Sequence, residues 1–220
     1  MKLWIDFWRM VYSRGGRPWR SQLAVPKILW GVLAAGLVML IHTAHSNPVQ
    51  AVDAAALPPT QWHQASFPVE NFQAYTSPFG YRSDPYGGGQ RFHYGLDLAA
   101  PSGSYIRNWW GGQVIEVSDD SSCGTSVVVQ SGNWMHIYCH LQGYVVQEGS
   151  DRFMLDSEGG LRIRQGQSVE TGTRIGRIGM TGRTTGPHLH WGMKYNESWV
   201  DPALVLRAMY SSQQASVPEQ

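Results

Sequence analysis

The chain has 220 residues and a formal net charge of +1, enough for one domain of ordinary size with appendages. The charge is unevenly spread: residues 1–46 carry six Lys and Arg against Asp6 alone, whereas the remainder holds 11 basic and 15 acidic residues. A mildly acidic body without a Lys/Arg stripe lacks the electrostatic footprint of a nucleic-acid binder, so no nucleic-acid partner is expected.

In chain order, a basic stretch (residues 1–27) leads into Ile28–Ile41, a run without a charge, followed by the small residues Ala44 and Ser46. Positive flank, apolar run and small residues make the order of a secretory signal. A full span takes about 20 apolar residues, and His42–Ala44 lengthen the run. Residues 28–44 therefore read as a cleaved signal or as a retained anchor helix. In both cases the positive-inside bias keeps residues 1–27 cytoplasmic and sends the body across the membrane. The expected location is the cell envelope on its extracytoplasmic side, with membrane contact through this N-terminal segment.

Residues 45–66 are rich in Ala and Pro and read as a linker. From Phe67 the pattern becomes short β-like runs broken by Gly, Pro, Asn and Asp: Gln113–Val117, Ser126–Gln130, Met135–His140, Tyr144–Gln147, Arg174–Ile178 and His188–Lys194. This spacing predicts an all-β, compact antiparallel domain over residues 67–205 rather than βαβ units. Only Asp201–Tyr210 looks helical, with Pro202 suited to a first turn. Residues 206–220 are expected to form a flexible tail. Cys123 and Cys139 flank a hairpin that turns at Ser131–Asn133, close enough for a disulfide in an oxidising compartment.

Three runs carry chemistry: His93-Tyr-Gly-Leu-Asp97, Tyr138-Cys-His140-Leu141 and Gly186-Pro-His188-Leu-His190. In a straight strand His93 and Asp97 lie roughly 13 Å apart, too far to share an ion. The expected arrangement puts His93 on a loop entering a strand, Gly95 allowing the bend, and Asp97 on the strand between Leu96 and Leu98. His188 and His190 share one strand face, roughly 6.6 Å apart, and Pro187 suits a strand start. His136, Tyr138 and His140 share a face if Met135–His140 is extended. A structural zinc site closes four positions, usually with Cys; one carboxylate among several histidines is the mixture of a catalytic site that keeps a position for water. Spacing alone leaves open which imidazoles bind the ion.

The chain resembles the lysostaphin-type (LytM-type) zinc metallopeptidases, which cut peptides of bacterial peptidoglycan. The resemblance runs from about Ala74 to Pro202. Its blocks are Thr76-Ser-Pro-Phe-Gly-Tyr-Arg82, His93-Tyr-Gly-Leu-Asp-Leu-Ala-Ala-Pro101, Tyr138-Cys-His-Leu141, Gly166-Gln167, Gly172-Thr-Arg-Ile-Gly176 and Thr181-Gly-Arg-Thr-Thr-Gly-Pro-His-Leu-His190. It implies a β-sheet fold of the duplicated hybrid motif type, Zn2+ bound by His93, Asp97 and His190, and catalytic roles for His140 and His188, either of them being the general base. It further implies an endopeptidase acting on peptidoglycan through a zinc-activated water. The alternative is a non-catalytic wall protein that binds peptidoglycan or activates another hydrolase. Departures from the family pattern are Trp109-Trp110, read first as both packing in the core and second as one packing while the other lines a groove, and an apparent insertion at residues 148–160, read as a hairpin that could wall the cleft. His136 reads first as a surface or strand histidine. The oligomeric state stays open.

Overall fold

The computed structural model describes residues 62–216. The expected cytoplasmic segment 1–27, the signal or anchor segment 28–44 and most of the linker lie outside the described residues. Among the described residues no helix is long and apolar enough to cross a membrane.

A 3₁₀ turn (Trp62–Gln64) precedes β1 (Ala74–Ser77), β2 (Gly80–Ser83), β3 (Gln90–His93), β4 (Leu96–Ala99), β5 (Tyr105–Arg107), β6 (Gly112–Ser118), β7 (Ser126–Ser131) and β8 (Trp134–Cys139). Then follow β9 (Tyr144–Glu148), β10 (Asp151–Asp156), β11 (Leu161–Arg164), β12 (Ser168–Val169), β13 (Arg174–Arg177), β14 (His188–Tyr195), β15 (Ser198–Val200) and a helix α1 (Pro202–Ala215). The main sheet has eight strands in the order β1-β4-β14-β8-β7-β6-β12, with β15 beside β14. Its pairings are antiparallel, so the all-β expectation holds, with one terminal helix added.

Period-two alternation explains how this sheet sorts its side chains. On β14, Leu189, Trp191 and Met193 are fully buried, while His188 and His190 lie on the opposite, partly open face. On β4, Leu96 and Leu98 enter the core and Asp97 points the other way. On β8, Trp134, His136 and Tyr138 belong to the core side and Ile137 to the cleft side.

The domain limits move outward at both ends. The linker was expected to run to residue 66, yet Trp62 and Ala65 are core residues. Trp62 stands edge-to-face against Trp109 and Trp134, with centroids 6.0 and 5.8 Å away, and such aromatic burial stabilises by a few kcal/mol beyond what an Ala/Pro linker offers. At the other end the helix expected at Asp201–Tyr210 is present and runs on to Ala215, so residues 206–215 are helical rather than a flexible tail. Leu206 and Met209 are buried, Asp201 caps the helix by accepting the Ala203 N–H, and Gln213 donates to the Ala65 carbonyl at 3.0 Å.

The expected hairpin at residues 148–160 is part of a separate three-stranded sheet, β11-β10-β9. It packs through Phe153, Met154 and Ile163 and is tied down by Asp156, whose carboxylate receives both Nε and Nη2 of Arg177 at 2.6 Å. Cys123 and Cys139 are joined in a disulfide, with Cα atoms 5.0 Å apart.

Candidate metal centre and its cleft

The β4–β14 ladder places Asp97 directly opposite His190, and the end of β3 delivers His93 from the other side. His93 is thus the last residue of a strand paired to Gly80, not a loop residue. Gly95 also has a different reason from the bend proposed for it. Its φ is not in the left-handed region, but a Cβ there would lie 2.6 Å from Cε1 of His190 and 2.8 Å from the Trp191 carbonyl. Glycine is required because the imidazole occupies that space.

His93 Nε2, His190 Nδ1 and Asp97 Oδ1 converge: 2.8 Å between the two nitrogens, 3.0 and 2.9 Å from each to the carboxylate oxygen. These three residues form a group able to hold a metal ion. The donor set passes a chemical test for zinc. The Pro78 carbonyl can only accept, so His93 Nδ1 donates to it at 2.8 Å, which leaves Nε2 as the ring atom that faces the carboxylate. A cation shared by these two ring nitrogens and the carboxylate would satisfy all three atoms at once, and one carboxylate with two imidazoles is a donor set that zinc accepts.

His188 and His140 stand beside this group. His188 Nε2 is 3.5 Å from Asp97 Oδ1, and the His140 and His188 rings are 5.0 Å apart. Both are held as His93 is, with Nδ1–H donated to a backbone carbonyl, Gly186 for His188 (2.9 Å) and Thr181 for His140 (2.8 Å). Nδ1 is thereby occupied in each ring, and both residues line the cleft. Burial, with the neighbouring His188 and His190, lowers the His140 pKa to about 4 against the raising effect of the Thr181 bond.

Strand alternation would have sent His140 into the core with His136 and Tyr138. It does not go there because His140 lies just past β8 with φ +63°, a left-handed conformation that re-aims the side chain into the cleft. His136 and Tyr138 remain inside: His136 is fully buried and faces Trp109 edge-on, so it is a core histidine and not a surface one.

The five histidine and aspartate positions line one open cleft of about 310 Å³, a size suited to a short stretch of peptide. Its walls hold groups that the motif reading passed over although they sit in or near its blocks: Arg82, Tyr86, Arg183 and, across from them, Trp199. Asp84 receives Arg183 through both carboxylate oxygens at 3.0 Å, and the Arg183 guanidinium lies 4.3 Å over the Tyr86 ring. Neither Trp109 nor Trp110 lines the cleft; both pack with the core. Nor does the β9–β11 sheet, which instead borders a second hollow with Gly179–Thr181.

A protein-family model described as Peptidase family M23 matches residues 91–151 and 155–202, leaving out only three residues of the supposed insertion. The chain is similar to the DD-carboxypeptidase/endopeptidase Mpg of Neisseria meningitidis serogroup B, 33% identical over 131 residues, which is 59% of this chain and 26% of that protein. It is also similar to the peptidoglycan DD-endopeptidase ShyA of Vibrio cholerae, 36% identical over 100 residues, 45% of this chain and 19% of that protein. A crystal structure of a zinc containing peptidase from Vibrio cholerae is 29% identical, covers 65% of this chain and 38% of that one, and has a TM-score of 0.48. The chain spans about a quarter of the length of the first of these curated relatives. The resemblance to lysostaphin-type enzymes read from the motifs is borne out: through this domain the chain belongs to peptidase family M23.

Proposed function

We propose that this chain is a zinc-dependent endopeptidase that hydrolyses peptide bonds in the cross-bridges or stem peptides of peptidoglycan. The observation that carries the reading is the convergence of His93, Asp97 and His190 on one point, with the Nε2 atoms of His140 and His188 turned to the same cleft. The names of the relatives, one a DD-carboxypeptidase/endopeptidase and one a peptidoglycan DD-endopeptidase, support the substrate class.

His93 and His190 would hold the ion through Nε2 and Nδ1, and Asp97 through its carboxylate. Zinc held there supplies Lewis-acid polarisation of a carbonyl and a bound water acidified toward neutrality. The chain's own part is proton handling and orientation. His140 and His188 commit Nδ1–H to backbone carbonyls, so Nε2 is the atom of each ring that would take a proton. Once protonated, either ring gains an N–H that can donate to a developing oxyanion or to the leaving amine.

The disulfide supports an oxidising, extracytoplasmic location, and residues 28–44 would serve as the signal or the anchor that leads the domain there. Incubating purified sacculi with the zinc-loaded full chain, with His190→Ala as the blank, tests the reading. Release of uncross-linked peptides by the wild type alone is the expected result; a folded, zinc-bearing protein that releases none would overturn it in favour of a wall-binding or activating role.

A further inference from the structure

The Cys123–Cys139 disulfide has no part in the chemistry above, yet it borders the same cleft. His140 follows Cys139 directly, and its φ of +63° is a conformation that a side-chain-bearing residue keeps only where its surroundings over-determine it. Those surroundings are two backbone segments pressed together. From residues 121–125, the Cys123 carbonyl accepts the His140 N–H at 2.8 Å and the Thr125 carbonyl accepts the Leu141 N–H at 2.9 Å. From residues 179–183, the Gly179 N–H donates to the His140 carbonyl at 2.9 Å, and the Thr181 carbonyl holds the imidazole.

The two segments are in turn locked to each other. The Thr125 N–H donates to Thr181 Oγ1, which donates to the Leu141 carbonyl, both at 2.9 Å. The Arg183 N–H donates to the Ser122 carbonyl at 2.8 Å. At the centre Gly124 and Gly182 approach so closely that a Cβ on either would run into the backbone of the other. One covalent bond ties this assembly to the end of β8, and it is the disulfide.

We propose that the Cys123–Cys139 disulfide is a positioning element for His140: it clamps residues 121–125 against the 181–183 loop whose Thr181 carbonyl orients the imidazole, so the site reaches full rate only when oxidised. The inference rests on the peptidase reading for its kinetic consequence. The metal ligands do not depend on the clamp. His93 is held by Pro78, Asp97 and His190 face each other in the β4–β14 ladder, and His190 is a register partner of Cys139 in the β14–β8 ladder, which the backbone pairing of those strands holds. Reduction should therefore separate proton transfer from metal binding. A dithiol carries out the step in balance. Its thiolate attacks a sulfur of the pair, Cys123 being the less buried. The S–S bond breaks to give a mixed disulfide, and the second thiol closes the reductant's own disulfide, leaving two protein thiols after transfer of two electrons and two protons. Such a device ties activity to an oxidising compartment.

The test compares the oxidised full chain, the same protein reduced by a trialkylphosphine (thiols would take up the zinc) and the double variant Cys123→Ala, Cys139→Ala. Measured on each are kcat, KM, zinc per chain, circular dichroism and the 15N–1H signal of the His140 Nδ1–H. The expected result is a fall in kcat of about tenfold or more with KM within about twofold, zinc and fold retained, the Nδ1–H signal lost, and recovery of the reduced wild type on reoxidation. An unchanged kcat or an unchanged Nδ1–H signal would overturn the proposal, as would loss of zinc or fold in step with activity, which would make the bond a staple of the whole domain. Should the oxidised protein cleave nothing, the peptidase reading alone falls, and the Nδ1–H signal still decides whether the disulfide orients His140.

Discussion

The imidazole of His190 lies against Gly95, where a Cβ would stand 2.6 Å from Cε1 and 2.7 Å from Nε2. The two residues are far apart in sequence and belong to different motifs, yet one exists as glycine because of the other. Gly95→Ala must push the ring or the Trp191 carbonyl, each part of the β4–β14 seam. We expect a loss of about 1–3 kcal/mol from overpacking and a fall in zinc affinity of about 10–100-fold, read by thermal melts and by competition with a chromogenic chelator. Wild-type affinity in a folded Gly95→Ala protein would mean that the position of His190 does not govern metal binding.

Metal content and rate should divide the five site residues into two groups. His93→Ala, Asp97→Ala and His190→Ala are expected to abolish stoichiometric zinc. His140→Ala and His188→Ala should keep one zinc per chain and lower kcat by about 10²–10⁴. Metal analysis of the purified variants beside hydrolysis of a cross-linked peptide checks this, and a zinc-free His140→Ala protein would reassign that residue to the ion.

Acid should destabilise the domain through a histidine outside the site. Burial alone lowers the pKa of His136 to about 3 from its ordinary 6.5, and Nε2 has no partner. The unfolded chain therefore binds a proton that the folded one refuses between those values. The stability this residue permits is fully present above pH 6.5 and is lost progressively as the pH falls toward 3. His136→Phe removes the titration and gives up only the Nδ1 contact with the Tyr138 hydroxyl, which keeps the Trp109 N–H at 2.8 Å. Denaturant midpoints of the two proteins between pH 7 and 4 should diverge, the variant falling less; parallel curves would place the acid sensitivity elsewhere.

The β9–β11 sheet is fastened to the rest by Arg177, whose side chain is 12% exposed against 3% for Asp156. Asp156→Ala leaves a nearly buried guanidinium with only the exposed Glu158, 3.2 Å away. The expected cost is about 3–5 kcal/mol, measurable by urea unfolding. Zinc content should be unchanged, since the pair does not line the metal cleft.

Much of this was legible in the residues. Each of the six β-like runs lies on or overlaps a strand, because alternation of apolar and polar side chains is a local property that the sheet preserves. The turn at Gly132 and the cysteines flanking its hairpin foretold a disulfide across it. Where local reading failed, a distant partner decided. Trp62 looks like the end of an Ala/Pro linker until Trp109 and Trp134 provide its seat. The helix legible at Asp201–Tyr210 continues to Ala215, where the sequence reads as a tail, because Leu206 and Met209 find the core and Gln213 reaches the Ala65 carbonyl. His140 looks like a third member of the His136–Tyr138 face until the backbone turns at it.

By itself, then, the sequence determined the chemistry available: hard nitrogen and oxygen ligands in a spacing that alternates with apolar residues, on strands that bury one face and open the other. Only the tertiary structure decided where that chemistry is directed. His93 and His190 are 97 residues apart in the chain and 2.8 Å apart in space, a closeness created by the end of β3, which delivers His93, by the register of β4 with β14, which sets His190 opposite Asp97, and by the absence of a side chain at Gly95. The aim of His140 depends on a left-handed φ, uncommon for any residue with a side chain, that contacts from two remote segments hold in place. Strand periodicity is written residue by residue, whereas register, close approach and strained dihedrals are set by which segments meet.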